Sequence, residues 1–136
     1  MNTLTQTSSM VVARFADHRL LKGWTDDFHP EKREFHIHLA QDHDRGTVVA
    51  LNDLKGLFFV RSHEGDRSHV LHDDLGAVRG QGRKIEVMFR DGEILRGLTL
   101  GYNPAKLGFF VIPADSQSNN VRVFVVNASI LRVQWR

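Results

Sequence analysis

The strongest constraint on the fold is an internal repeat. When the 136-residue chain is compared with itself at an offset of 74 residues, eight of the 25 positions from 15 to 39 are identical. Average residue usage predicts about one or two identities by chance. The identical pairs are Phe15/Phe89, Asp17/Asp91, Leu21/Leu95, Gly23/Gly97, Thr25/Thr99, Pro30/Pro104, Lys32/Lys106 and Phe35/Phe109. When the offset is increased by two residues, Val49 aligns with Val125 and Leu57 aligns with Val133. The sequence therefore predicts two copies of one structural unit.

Each copy has the residue pattern of β-strands. Every second residue is apolar over 11–15 and over 85–89, with Arg14 and Glu86 among the residues between them, and this period of two is typical of a half-buried strand. Asp91-Gly92 then indicates a tight hairpin turn. Its counterpart in the first copy is Asp17-His18, which predicts a longer or different turn because histidine tolerates a positive φ less well than glycine does. Gly23 and Gly97, each inside the next strand, predict a bulge or a sharp bend.

These patterns predict an all-β fold. Each copy contains about five short antiparallel strands in about 50 residues, and so small a sheet buries its apolar face best by closing on itself. We therefore expect two tandem small β-barrels from an internal duplication, with no helix longer than one turn. The expected organisation is a disordered tail over 1–10, a first barrel over 11–61, a linker over 62–83 and a second barrel over 84–136.

Two resemblances to known families support this prediction. The alternating strand that ends in Asp91-Gly92, followed by Gly97, resembles the first motif of Sm-like and SH3-like small barrels. Sm proteins bind RNA through an asparagine and an Arg-Gly pair, but Arg33 and Leu107 stand at the asparagine position here, so the resemblance implies the barrel and not the RNA-binding role. The chain also resembles an uncharacterised bacterial family of tandem barrels, on the segments Gly101–Pro104, Gly108–Phe110, Pro113–Asp115 and Ser118–Asn120.

Composition excludes several classes of function. The chain has no cysteine, which rules out disulfides, thiolate catalysis and cysteine zinc sites. Its net charge is only +2, and its second half is mildly basic, without the dense basic stripe of a dedicated nucleic-acid binder. No apolar stretch approaches the ~18 residues of a membrane span, and the polar N-terminus does not resemble a secretory signal. We therefore expect no membrane partner and a cytoplasmic location.

Histidines provide the only weak candidates for a metal site. His36 and His38 lie on one face of a predicted strand, ~7 Å apart by the strand rise, and His29 or His43 lies close in sequence. Three such imidazoles would suit zinc. We favour surface or interface histidines instead, and expect no metal and no cofactor.

No pattern indicates an enzyme. The acidic pairs are Asp26-Asp27 and Asp73-Asp74, and adjacent residues point to opposite sides of an extended chain. General acid–base catalysis needs two carboxyl groups held in different environments. We therefore expect a protein without catalytic residues.

One short motif suggests a ligand. Arg79-Gly80-Gln81-Gly82-Arg83 is similar to the arginine element with which PilZ barrels bind cyclic di-GMP, and arginine suits phosphate recognition. PilZ barrels add a later polar element, here represented by Asn127 and Ser129 without its closing glycine. Arg79, Arg83, Asn127 and Ser129 are therefore the candidate ligand residues, and a flexible interdomain linker is the favoured alternative for 79–83.

Aromatic residues suggest a protein interface. Small barrels cannot easily bury all of Trp24, Phe28, Tyr102, Phe110 and Trp135. These residues fit an interface between the two barrels, a homodimer contact or a peptide groove, and open strand edges could pair between chains. The leading hypothesis is a non-enzymatic interaction or adaptor module that contacts another protein. The alternative is a protein that binds RNA or a cyclic dinucleotide.

Overall fold

The computed structural model describes residues 8–39 and 46–136, and this part of the chain is all-β. Its only helices are two 3₁₀ turns of three residues each, Leu51–Asp53 and Asn127–Ser129. The predictions of an all-β fold and of no helix longer than a turn are therefore confirmed for these residues. The strands are β1 (Ser9–Phe15), β2 (Leu20–Thr25), β3 (Glu34–Ile37), β4 (Thr47–Ala50), β5 (Leu54–Val60), β6 (Arg83–Phe89), β7 (Ile94–Thr99), β8 (Gly108–Pro113), β9 (Asn120–Val126) and β10 (Ile130–Trp135).

Eight of these strands form one antiparallel sheet in the order β10-β6-β7-β8-β9-β5-β1-β2. Strands β3 and β4 form a two-stranded sheet, which a bridge between Trp24 and His38 connects to β2. The pairing of β5 with β9 joins strands from the two predicted copies. Both sheets are open ladders over the described residues, so the two closed barrels remain a prediction.

The predicted domain limits differ slightly from the strand limits. Residues 1–7 of the expected tail lie outside the described residues, whereas Ser9 and Met10 already pair with β2 in strand β1. The expected linker over 62–83 contains no strand until Arg83, where β6 begins.

The core consists of two clusters of buried side chains, and β5 and β9 contribute to both. Leu57 and Phe124 belong to the first cluster, whereas Phe58 and Val123 belong to the second. Neighbouring residues of these two strands therefore face different cores, which explains why 57–60 and 123–126 are continuous apolar runs rather than an alternation. Each fully buried large apolar side chain stabilises the fold by about 1.5–3 kcal/mol.

The two hairpin turns have the same geometry, which makes the expectation of a different turn at Asp17-His18 wrong. His18 has φ 76° and Gly92 has φ 93°. The His18 N–H donates to the Phe15 carbonyl at 3.0 Å, and the Gly92 N–H donates to the Phe89 carbonyl at 2.9 Å. The closing bonds of the hairpin thus impose a left-handed conformation on this position whatever its side chain, although such a conformation is unfavourable for histidine.

We expect His18→Gly to raise the free energy of unfolding by up to about 1.6 kcal/mol. Relief of the left-handed strain, about 1–2 kcal/mol, is partly offset by the greater freedom of glycine in the unfolded chain, about 0.4–1 kcal/mol. Urea denaturation measures the difference. The reciprocal change Gly92→Ala should destabilise the protein, because its Cβ meets nothing within 4 Å and only the backbone conformation opposes it. A His18→Gly variant less stable than the wild type would contradict this explanation.

Gly23 and Gly97 allow the backbone of a neighbouring segment to approach at very short range. A Cβ on Gly23 would lie 2.4 Å from the His38 carbonyl oxygen, and one on Gly97 would lie 2.1 Å from the Ile112 carbonyl oxygen. The pairing of β2 with β1 and of β7 with β6 continues through these glycines without a register shift. Close backbone approach therefore explains why both positions are glycine.

We expect Gly97→Ala to lower the free energy of unfolding by about 3 kcal/mol or more, since its Cβ would displace a backbone carbonyl in a packed region. Gly101→Ala is the matched control, because a Cβ at Gly101 meets nothing within 4 Å. The control should change stability by less than about 0.5 kcal/mol. Equal urea midpoints for the two variants would refute the close-approach argument.

Candidate interaction surface at two sheet edges

Strand β10 forms one edge of the large sheet. Over the described residues it pairs with β6 alone. The Arg136 N–H donates to the Lys84 carbonyl at 3.1 Å, and backbone groups alternate in direction along an antiparallel strand. Arg132 and Gln134 therefore direct their backbone groups toward β6, whereas Val133 and Trp135 direct theirs away from the sheet.

Strand β4 forms a second edge, that of the small sheet. Within the part of the chain that the structure describes, it pairs only with β3. The Leu51 N–H donates to the Arg33 carbonyl at 2.8 Å. By the same alternation, Val49 and Thr47 direct their backbone groups toward β3, whereas Val48 and Ala50 direct theirs outward.

Both edges expose apolar side chains. Leu131 is 58% exposed, Val48 is 54% exposed and Trp135 is 38% exposed. The Arg83 guanidinium lies 3.9 Å from the centre of the Trp135 ring, and the Tyr102 ring meets the same indole edge-on at 5.7 Å. Cation–π and aromatic contacts thus fix Trp135 beside the outer edge of β10.

The other predicted aromatics are half-buried and already have partners. Phe28 contacts the rings of Phe35, Phe59, Phe110 and Phe124, with centroid distances between 5.1 and 6.2 Å. It therefore connects strands of both predicted copies, as expected for a contact between them. Trp24 meets the imidazole of His63 edge-on at 4.8 Å. An outward-facing role for the five aromatics stays a prediction, and Trp135 is the most exposed of them.

The four candidate ligand residues lie in different surroundings. Arg83 is stacked on Trp135, and the buried Ser129 hydroxyl lies within hydrogen-bond distance of the Lys55 and Val126 carbonyls. The Asn127 amide donates to the carbonyls of Asn103 and Lys106. Arg79 is exposed on the connecting segment. Ligand binding by these residues stays a prediction.

Arg79 lines an apolar groove of about 720 Å³ that includes none of the other three candidate residues. Leu98, Leu100 and Ile112 supply apolar surface there, and Lys106 supplies a second cation. The Lys106 ammonium lies 3.8 Å from a Glu31 carboxylate oxygen. The groove is thus mainly a hydrophobic surface beside two cations.

The histidine candidates are not gathered into a metal site among the described residues, which contain no group of three or more suitable ligands. The His36 Nδ1 donates to the Asp27 carboxylate at 2.7 Å, and Asp27 also accepts the His36 backbone N–H. Burial of Asp27 by itself raises its pKa, but the two hydrogen bonds from His36 outweigh this effect and help to hold the pKa of Asp27 below its usual value. His43 lies outside the described residues.

A buried carboxylate anchors the segment that connects β5 to β6. Asp115, 5% exposed, accepts the backbone N–H of His72 at 2.9 Å and the Nε2–H of His69 at 2.6 Å. It also accepts the backbone N–H of Gln117. The bonds from His72 and His69 are the main causes that lower the pKa of Asp115 to about 2. The connecting segment is thereby attached to the turn between β8 and β9.

This anchor predicts a stability change in acid. Because the pKa of Asp115 is lower in the folded protein than its usual value of 3.8, its contribution is complete above that value and is lost as the pH falls toward 2. We expect Asp115→Asn to lower the free energy of unfolding at pH 7 by about 1–3 kcal/mol and to flatten its pH dependence between about pH 4 and pH 2. Urea titrations across this range measure both; an unchanged acid slope in the variant would exclude Asp115 as the group responsible.

Sequence reasoning missed one buried cation. The Lys55 side chain of β5, only 11% exposed, donates to Asp91 at 2.7 Å and also pairs with Glu93. Its ammonium lies 4.6 Å from the centre of the Phe89 ring. Lys55 thus ties β5 to the β6–β7 hairpin and lowers the pKa of Asp91. The only sequence signal was a lysine within an apolar run, whose partners lie 36 and 38 residues away.

The fold and its edges define an all-β protein built on an eight-stranded antiparallel sheet and a two-stranded one. Among the described residues, β10 of the large sheet and β4 of the small sheet each lack a second neighbour. The chain belongs to a family of unknown function, DUF6982, whose model matches residues 7–135. No curated protein and no solved structure matches the chain. None of the helices in the described residues is long and apolar enough to cross a membrane.

Proposed function

We propose that the chain is a non-enzymatic interaction module built from two copies of one small β unit. It binds proteins by pairing an extended segment of the partner, as an additional strand, with an edge of one of its sheets. The observation that carries the proposal is the pair of edges β4 and β10. Each presents outward backbone groups and exposed apolar side chains. An extended segment of a partner would satisfy these backbone groups, and pockets for alternate side chains would give selectivity.

Several equivalent features support the duplication. The two hairpin turns share their hydrogen bonds, and the two 3₁₀ turns precede β5 and β10. The register of β5 against β1 shifts at Lys55, and that of β10 against β6 shifts at Leu131, its aligned counterpart. Local features that agree in kind and in position are more economically explained by one unit used twice than by coincidence.

The edge of β10 has properties suited to a partner strand. It contains no proline, so every backbone N–H can donate, and its exposed residues include both apolar and cationic side chains. Long uncovered edges are usually protected from pairing because they template further strands. An edge of six residues that exposes Leu131 and Trp135 is therefore better explained by a partner than by chance.

Nucleotide or RNA binding receives less support from the contacts. Arg83 is stacked on Trp135, and the Ser129 hydroxyl is bonded within the core. Neither group is directed toward a common ligand, and Arg79 lines a mainly apolar groove. A phosphate ligand would require several cations that converge on one place.

A random peptide library displayed on phage provides the test. We expect the immobilised protein to enrich peptides with alternating apolar residues, because a bound strand presents every second side chain to the sheet. Val133→Pro removes an outward donor without removing a bond to β6 and should weaken binding of the selected peptides about tenfold or more. Val133→Thr retains both the donor and the branched shape, and should bind within about threefold of the wild type.

Val48→Pro is the corresponding variant for peptides that select the β4 edge, with Val48→Thr as its control. Thermal unfolding verifies that each proline variant is folded. The proposal is rejected if no library peptide binds, or if selected peptides bind both folded proline variants as tightly as the wild type.

A further inference from the structure

We propose that a second copy of this chain is one partner of these edges: β10 of one chain pairs antiparallel with β4 of the next, with Val133 opposite Val48. This inference rests on the proposed function and identifies its partner. The argument comes from the way the two halves of the chain are already joined.

The internal junction is the pairing of β5 with β9. Leu57 lies opposite Phe124 and Phe59 lies opposite Arg122. The Asn127 N–H donates to the Leu107 carbonyl on the β8 side, so alternation directs the backbone groups of Phe124 and Arg122 away from β8 and toward β5. The junction therefore uses the backbone groups of β9 that point away from β8, together with those of β5 that face them.

The outer edges carry the counterparts of these junction strands. The repeat aligns Leu57 of β5 with Val133 of β10, and the same alignment sets Phe124 of β9 against Val48 of β4. Val133 and Val48 are residues whose backbone groups point outward. The edges that remain unpaired within the described chain thus present the same hydrogen-bonding pattern as the strands that join its halves.

The junction register also gives compatible side-chain pairs between chains. Transferred to the outer edges, it places Val133 opposite Val48, Gln134 opposite Thr47 and Arg132 opposite Val49. The first pair buries an exposed valine, and the second joins two polar side chains. No pair brings like charges together, which would oppose association.

The interface between chains should be weaker than the internal junction. Gln134 and Arg132 stand where the junction has Phe58 and Gly56, and Phe58 is buried in the second core cluster. Less apolar surface would leave water, so we expect association that reverses on dilution. Because β10 and β4 are different surfaces, the contact is head to tail and extends beyond two chains as a ring or a filament.

Sedimentation velocity of the full chain, from about 1 to about 200 µM, tests the association. We expect the mean mass of the wild type to rise with concentration and to exceed two chains. Val48→Pro blocks β4, and Val133→Pro blocks β10, so each variant alone should remain monomeric over this range. Val48→Thr and Val133→Thr retain the backbone donors and should associate as the wild type does.

Mixing the two proline variants distinguishes head-to-tail pairing from other contacts. Val48→Pro keeps a functional β10 and Val133→Pro keeps a functional β4, so the mixture should form a one-to-one dimer that grows no further. If Val48→Pro alone still dimerises, pairing of identical edges replaces the proposal. If the folded variants stay monomeric when mixed, the proposal is wrong.

Two further outcomes separate this inference from the proposed function. A wild-type chain that stays monomeric at every concentration, yet binds library peptides at its edges, refutes self-association and leaves the interaction role intact. A monomeric chain that binds no library peptide refutes both. Should either proline variant unfold, Ala50→Pro for β4 and Trp135→Pro for β10 repeat the test, since their backbone groups also point outward.

Discussion

The pairing of β5 with β9 is the interaction on which the rest of the structure depends. Strand β5 is buried on both faces throughout and β9 is buried on both faces over 123–126, and each strand sends alternate side chains into two different core clusters. Separating them would expose both cores at once, along with the backbone groups that bond across the junction. This arrangement explains why small β units without cysteines form a stable pair: each completes its core with side chains from the other.

The same pairing defines the surfaces on which function is proposed. Once β5 and β9 are joined, β10 ends the large sheet and β4 ends the small one, whereas the opposite ends, at β2 and β3, meet through the bridge between Trp24 and His38. Trp135 lies beside one of these edges, held by Arg83 and Tyr102. The buried aromatic cluster around Phe28 belongs instead to the contact between the halves. Aromatic residues that are indistinguishable in sequence therefore have two different roles.

Local sequence patterns predicted the strands and turns well, but they did not predict the contacts between distant residues. The strand over 11–15, the turn at Asp91-Gly92 and the absence of long helices follow from periodicity and turn chemistry, which act over a few residues. The turn at His18 differs from its prediction because the hairpin bonds impose its φ against the preference of histidine. Among the candidate site residues, the sequence pointed to Trp135, but nothing in it showed that Val48 and Val133 present their backbone groups outward.

By itself the sequence determined that the chain is all-β and where most strands lie, and it predicts that two similar units follow one another. Only the tertiary structure decided that β5 pairs with β9, that Lys55 reaches Asp91 and Glu93, and which strand edges have no second neighbour in the described chain. The physical reason is that alternation specifies which side of a strand is buried, whereas its backbone can pair with any compatible edge. That choice depends on the packing of distant side chains around shared cores.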